Sequence, residues 1–118
     1  MYYFKLVSLE GCPYSLAGEE LFKNNKINHE LIKVKYNEKD KFKTDIISTF
    51  PQIYLKKKYS NGSLLVGGYD DIKSYYDIVN TSTKKSDNII SEFKNIINKK
   101  INNLSEKSIL RIIQLLSK

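Results

Sequence analysis

The chain has 118 residues, 41% of them hydrophobic, with a formal net charge of +7, one cysteine and one histidine. This is one domain's length with enough apolar side chains for a single core, and it lacks a run of about 18 apolar residues that would cross a membrane. A lone cysteine excludes an intramolecular disulfide, and one Cys with one His excludes a zinc site built by a single chain.

The charge is uneven. Residues 81–118 hold eight Lys/Arg against three Asp/Glu, and residues 1–80 hold twelve against ten. A basic segment of this kind is read as a solvated helix face before it is read as a nucleic-acid or acidic-partner surface.

Tyr2 to Val7 is rich in aromatic and aliphatic residues and predicts a strand. Ser8 to Gly11 reads as a strand-to-helix loop. Leu16, Ala17, Leu21 and Phe22 recur at helical spacing, which predicts a helix from Pro13 to about Asn25, with Gly18 as its weak point. Residues 29–35 predict a second strand. Strand, helix and strand form a βαβ unit, whose crossover implies parallel pairing.

Phe42, Ile46 and Ile47 predict a short helix within residues 37–49. Pro51 opens a third strand, at the position where a strand accepts proline. Asn61-Gly62, between that strand and Leu64-Leu65-Val66, predicts a hairpin. Gly67-Gly68 then precedes Tyr69, an acidic N-cap at Asp70-Asp71 and a helix carrying Ile72, Tyr75, Tyr76 and Val79. Residues 81–87 read as a linker. Ile89 to Ile101 forms an apolar helical stripe broken at Asn102-Asn103. Ser105 is the N-cap of a last helix with Ile109, Ile112, Ile113 and Leu116 on one side.

Cys12 stands between the first strand and the first helix. A helix N-terminus offers unpaired N–H groups and the positive end of the macrodipole, both of which favour a thiolate. Pro13 suits the first helical position. Taken alone, the stretch leaves two readings open: a nucleophilic thiol, or a small buried structural one.

Three stretches together resemble the glutaredoxin family. Cys12-Pro13-Tyr14-Ser15 is similar to the family's Cys-Pro-Tyr-Cys, with serine in place of the second cysteine. Thr49-Phe50-Pro51 is similar to its Thr-Val-Pro, where the proline is cis. Gly67-Gly68-Tyr69-Asp70-Asp71 is similar to its Gly-Gly-x-Asp-Asp. The resemblance implies a thioredoxin-like α/β fold: a four-stranded mixed sheet flanked by helices. Residues 1–103 form the glutaredoxin-like domain, and residues 104–118 add a C-terminal helical extension.

It also implies a monothiol, glutathione-dependent thiol–disulfide oxidoreductase with Cys12 as its catalytic residue. Glutathione, the co-substrate, is bound by Pro13, Tyr14, Ser15, Thr49, Phe50, Pro51, Gly68, Tyr69, Asp70 and Asp71. The expected partners are glutathione and glutathionylated proteins or small disulfides. The chain is expected to act as a monomer in the cytoplasm or another reducing intracellular compartment, without membrane or nucleic acid. The family's lysine before the nucleophile is here Leu9, and its arginine before the proline stretch is replaced by Ile47-Ser48, with Lys41 or Lys43 as substitutes. Two alternatives accompany this reading. One is a homodimeric carrier of a glutathione-ligated 2Fe–2S cluster, in which Cys12 is the metal ligand and against which Pro13 argues. The other is a non-catalytic glutathione- or protein-binding module.

Overall fold

The structure is a computed structural model, and it describes residues 2–81 and 106–117. In order they form β1 (Tyr2–Leu9), α1 (Pro13–Asn24), β2 (His29–Val34), a 3-10 helix (Tyr36–Phe42), β3 (Gln52–Lys57), β4 (Ser63–Gly67), α2 (Tyr69–Thr81) and α3 (Glu106–Leu116). The expected linker and helix at residues 82–101, the Asn102-Asn103 break, the Ser105 cap and the 103/104 domain boundary lie outside the described residues. No described helix is long and apolar enough to cross a membrane.

The strands make one sheet in the order β2-β1-β3-β4. β1 runs parallel to β2, as the βαβ crossover predicts, with Leu6 opposite Leu31. β3 is antiparallel to both β1 and β4. The ladder slips between Ile53 and Tyr54, which pair with Gly67 and Leu65. Val66 is therefore an extra residue, a bulge that bends β4 just before its end.

β1 has two faces. Phe4, Leu6 and Ser8 point at α1. The Phe4 ring centroid lies 5.5 Å from that of Phe22, and Ser8 Oγ donates to Glu19 Oε2 at 2.6 Å. On the other face Val7 packs with Val34 and Phe50, flanked by Leu9, Ile32, Phe42 and Tyr54.

Three local expectations need correction. β1 extends through Ser8 and Leu9, which pair with Lys33 and Val34 rather than forming a loop. The helix expected within 37–49 is a 3-10 helix that ends at Phe42. Beyond it Thr44 Oγ1 accepts the N–H groups of Ile46 and Ile47, at 3.2 and 3.0 Å, in a side-chain-closed turn that competes with a helix. Of the three residues that suggested the helix, only Phe42 joins the core cluster, and Ile46 is 81% exposed. The hairpin forms, but its connection is five residues, 58–62, instead of a tight Asn-Gly turn. Tyr59 takes the left-handed conformation, with φ of +66°, and Ser60 N–H closes back on Lys57 O at 3.1 Å.

The chain divides into two compact units, Met1–Ile72 and Lys73–Lys118. The sheet, α1 and the first turn of α2 belong to the first. In the second, Tyr75, Tyr76, Ile109, Ile112 and Leu116 are buried. Asn80 Nδ2 donates to both Tyr76 O and Leu116 O, at 3.0 and 2.9 Å, joining the last turn of α2 to the end of α3. The stripe read from Ile109, Ile112 and Leu116 is thus an inward face, with Ile113 at its margin.

Candidate functional site

The site begins where β1 hands over to α1. Gly11 adopts φ of +76°, a left-handed conformation that glycine enters without steric penalty. The chain turns there, and Cys12 N–H donates to Leu9 O at 3.2 Å. Cys12 is the N-cap of α1, with extended φ and ψ of −95° and 119°, and Pro13 follows in the first turn. Its carbonyl accepts the first helical bond from Leu16 N–H at 3.0 Å. Its sulfur caps no N–H. Instead Cys12 Sγ–H points at Phe50 O, 3.8 Å away. The thiol is half-buried.

Phe50 and Pro51 sit just before β3, and the peptide bond between them is cis. Both residues are buried. Pro51 lies between two glycines. A Cβ on Gly18 would stand 3.3 Å from Pro51 Cγ, and one on Gly68 would stand 3.5 Å from Pro51 O. Gly18 is therefore a close approach of helix to proline, and the helix tolerates its poor propensity for that reason.

Gly67 has φ of +144°, and a Cβ there would overlap the Asp71 carboxylate. The N-cap of α2 is Gly68, whose carbonyl accepts from Ile72 N–H at 3.1 Å. The expected acidic cap is thus not the cap: Asp70 and Asp71 lie two and three residues past it, inside the first turn. Asp71 Oδ2 accepts from Gly68 N–H at 3.0 Å, the reciprocal half of a capping box. Asp70 is exposed. Two carboxylates in the first turn also complement the helix dipole.

These pieces close a circuit. Cys12 faces Phe50 O, Pro51 O lies against Gly68, and Gly68 leads into Tyr69. The Tyr69 ring returns to Tyr14, centroid to centroid 6.4 Å at 46°. Tyr14 is 60% exposed and two residues from Cys12. Of the residues singled out in the sequence, Cys12, Tyr14, Phe50, Pro51, Gly68 and Tyr69 are drawn together in this way. Thr49 is exposed beside them in sequence.

Ser15 has another task. It is fully buried, and its Oγ accepts from Leu9 N–H at 2.9 Å, fastening the first turn of α1 to the end of β1. Leu9, where a lysine was looked for, is packed on the apolar cluster of the sheet. Lys43 is bound to Asp40 at 3.1 Å.

Gln52 is not among the residues singled out from the sequence. It is buried, donates through Nε2 to Phe42 O at 2.8 Å and accepts from Tyr54 OH through Oε1 at 2.9 Å. It thereby pins the segment between the 3-10 helix and Pro51. Partial burial raises the Tyr54 phenol above its ordinary value, so it remains a donor at neutral pH. A polar residue directly after a strand-opening proline, at an inward position, was the one available hint.

No family model matches the chain, and no curated protein does either. Among solved structures, the crystal structure of glutaredoxin 1 from Francisella tularensis, complexed with cacodylate, is similar to it with a TM-score of 0.52. The two share 24% sequence identity over 65% of this chain and 94% of that one. The chain has a thioredoxin-like fold. The end of β1, the start of α1 and the residues preceding β3 converge on Cys12 and Phe50.

Proposed function

We propose that this protein is a glutathione-dependent thiol–disulfide oxidoreductase of the monothiol glutaredoxin kind. One observation carries the reading: the chain's sole thiol stands at a helix N-cap and faces the Phe50 carbonyl, directly before Pro51. The likeness in fold to a glutaredoxin supports it.

The Cys12 thiolate attacks the glutathionyl sulfur of a mixed disulfide. A new S–S bond joins Cys12 to glutathione, and the substrate's thiolate leaves and takes a proton. Ser15 has no thiol with which to resolve this intermediate, and its hydroxyl is engaged by Leu9. A second glutathione thiolate therefore attacks the bound glutathionyl sulfur, releasing the Cys12 thiolate and glutathione disulfide.

The backbone of Thr49 and Phe50 pairs with the tripeptide as a short added strand, between Pro13, Tyr14 and Pro51. The first turn of α2, at Tyr69 and Asp70, receives the glutamyl carboxylate, because a helix N-terminus favours an anion. Asp71 is engaged by Gly68 N–H, so the exposed Asp70 is the carboxylate that meets the ammonium group. The protein acts as a monomer on glutathionylated proteins or small disulfides, in a reducing compartment.

The test is turnover of a glutathione mixed disulfide, coupled to reduction of the glutathione disulfide formed. Wild type turns over, and Cys12→Ser falls to background. Equal rates in the two proteins would overturn the reading.

A further inference from the structure

We infer that Tyr69 is a specificity-determining residue: with Tyr14 it forms a paired aromatic wall beside Cys12 that favours disulfides carrying a flat π-face next to the sulfur. The inference rests on the reading of Cys12 as the attacking thiol.

Four observations lead to it. First, Tyr14 is in the first turn of α1, two residues from the thiol, and is 60% exposed, so its side chain is accessible to a bound molecule. Second, the Tyr69 ring lies against it at 6.4 Å in a tilted geometry, within the range in which aromatic pairs attract. Third, Tyr69 is held firmly. It is the first residue of α2, between the Gly68 cap and Asp71, whose carboxylate accepts the Gly68 N–H. Fourth, Gly68 lies against Pro51 O, next to the residue whose carbonyl faces Cys12. The wall is therefore fixed to the backbone that lines the thiol.

An exposed tyrosine on a helix surface ordinarily samples several rotamers, and a ring leaning on it removes some of that freedom. Tyr69 thus positions Tyr14 and adds its own edge. A disulfide with a planar group beside its sulfur meets two rings already in place. An aliphatic disulfide gains far less from them.

Because Cys12 is the only thiol, its reaction with a disulfide is a single-site event and needs no glutathione turnover. The probes are 4,4′-dithiodipyridine and bis(2-hydroxyethyl) disulfide. In each case the Cys12 thiolate forms a mixed disulfide with one half of the probe and expels the other half as its thiolate. The readout is the ratio of the two second-order rates. That ratio is normalised to the same ratio for free cysteine, which removes the intrinsic difference in leaving group.

Tyr69→Ala is expected to lower the normalised ratio about three- to tenfold, the size of one aromatic contact. Tyr69→Leu, which keeps bulk without a π-face, is expected to lower it similarly, and Tyr69→Phe to retain it. Tyr59→Ala, on the far hairpin, is the control and leaves it unchanged. A ratio unaltered in both Tyr69→Ala and Tyr69→Leu overturns the inference, as does a Tyr69→Phe protein that behaves like Tyr69→Ala. Absent glutathione-coupled turnover together with a shifted ratio would overturn the proposed catalytic function and leave the aromatic wall standing.

Discussion

Gly18 of α1 faces the ring of Pro51 so closely that a Cβ at residue 18 would stand 3.3 Å from Pro51 Cγ and 3.7 Å from Leu6 Cδ1. Two effects oppose each other in Gly18→Ala. Helix propensity gains about 1 kcal/mol, and overpacking of a filled site costs about 1–3 kcal/mol. Both neighbours are buried and hemmed in, so crowding wins. The variant is expected to be about 1 kcal/mol less stable by urea unfolding. A variant more stable than wild type would show that Pro51 yields.

Ser15 offers a different test. Its buried hydroxyl is the acceptor for Leu9 N–H. Ser15→Ala leaves that donor without its partner and is expected to cost about 1–3 kcal/mol. Ser15→Cys restores the family's second thiol but offers a weak acceptor in its place. In the reduced state it should unfold at lower denaturant than wild type, while under oxidant it should form a disulfide with Cys12. Glutathione-dependent turnover should stay within about tenfold of wild type, the scale of a minor contact.

At Gly67 backbone and side chain act together. φ of +144° disfavours any other residue, and a Cβ would overlap Asp71. Gly67→Ala should cost about 3 kcal/mol, from strain and collision combined. Asp71→Ala alone loses the capping interaction, about 1 kcal/mol. The double variant should be less damaged than the sum, because the carboxylate is part of the collision. Strict additivity in a double-mutant cycle would refute that coupling.

Tyr54 sets an alkaline limit. Burial raises its phenol above the ordinary value of 10.0. The protonated form is therefore favoured in the folded state. Its contribution is complete below the unfolded value and is lost as pH rises through the folded one. Wild type should lose stability above about pH 10, and part of that loss should vanish in Tyr54→Phe. Denaturant midpoints measured from pH 8 to 11.5 decide it. Identical alkaline limbs in the two proteins would count against the burial of Tyr54 as the origin.

α3 offers a test of its own. Ile112 is fully buried in its unit, and Ile112→Ala should cost about 2–5 kcal/mol. The exposed Leu110→Ala should cost far less. Cys12 reactivity per folded molecule should be unchanged in both, since Cys12 and Phe50 both belong to the first unit.

Strands and helices that announce themselves by period were readable, and so was the stretch before β3 whose Phe50 carbonyl Cys12 faces. What escaped were long-range roles of small and polar residues. Gly18 looked like a helix defect because only its distant neighbour Pro51 explains it. Ser15 looked like a lost cysteine because the Leu9 N–H it serves comes from another element. Gln52 was silent because a buried amide is recognisable only through its partners, Phe42 O and Tyr54 OH. The helix expected around Ile46 failed because Thr44 closes a local turn that hydrophobic spacing does not report. Asp70-Asp71 reads as a cap from the sequence because the true cap, Gly68, has no side chain to signal it.

The extra residue at Val66 has a consequence for behaviour in crowded solution. β4 is five residues long and lies at the border of the sheet. A straight border strand is a template on which another molecule can stack and begin a fibril. Here the template is cut short: the bulge falls just before Gly67 and throws the ladder out of step. A variant that deletes Val66 would straighten that border. Its tendency to form thioflavin-positive assemblies at high concentration would measure how much the irregularity protects the protein from self-association.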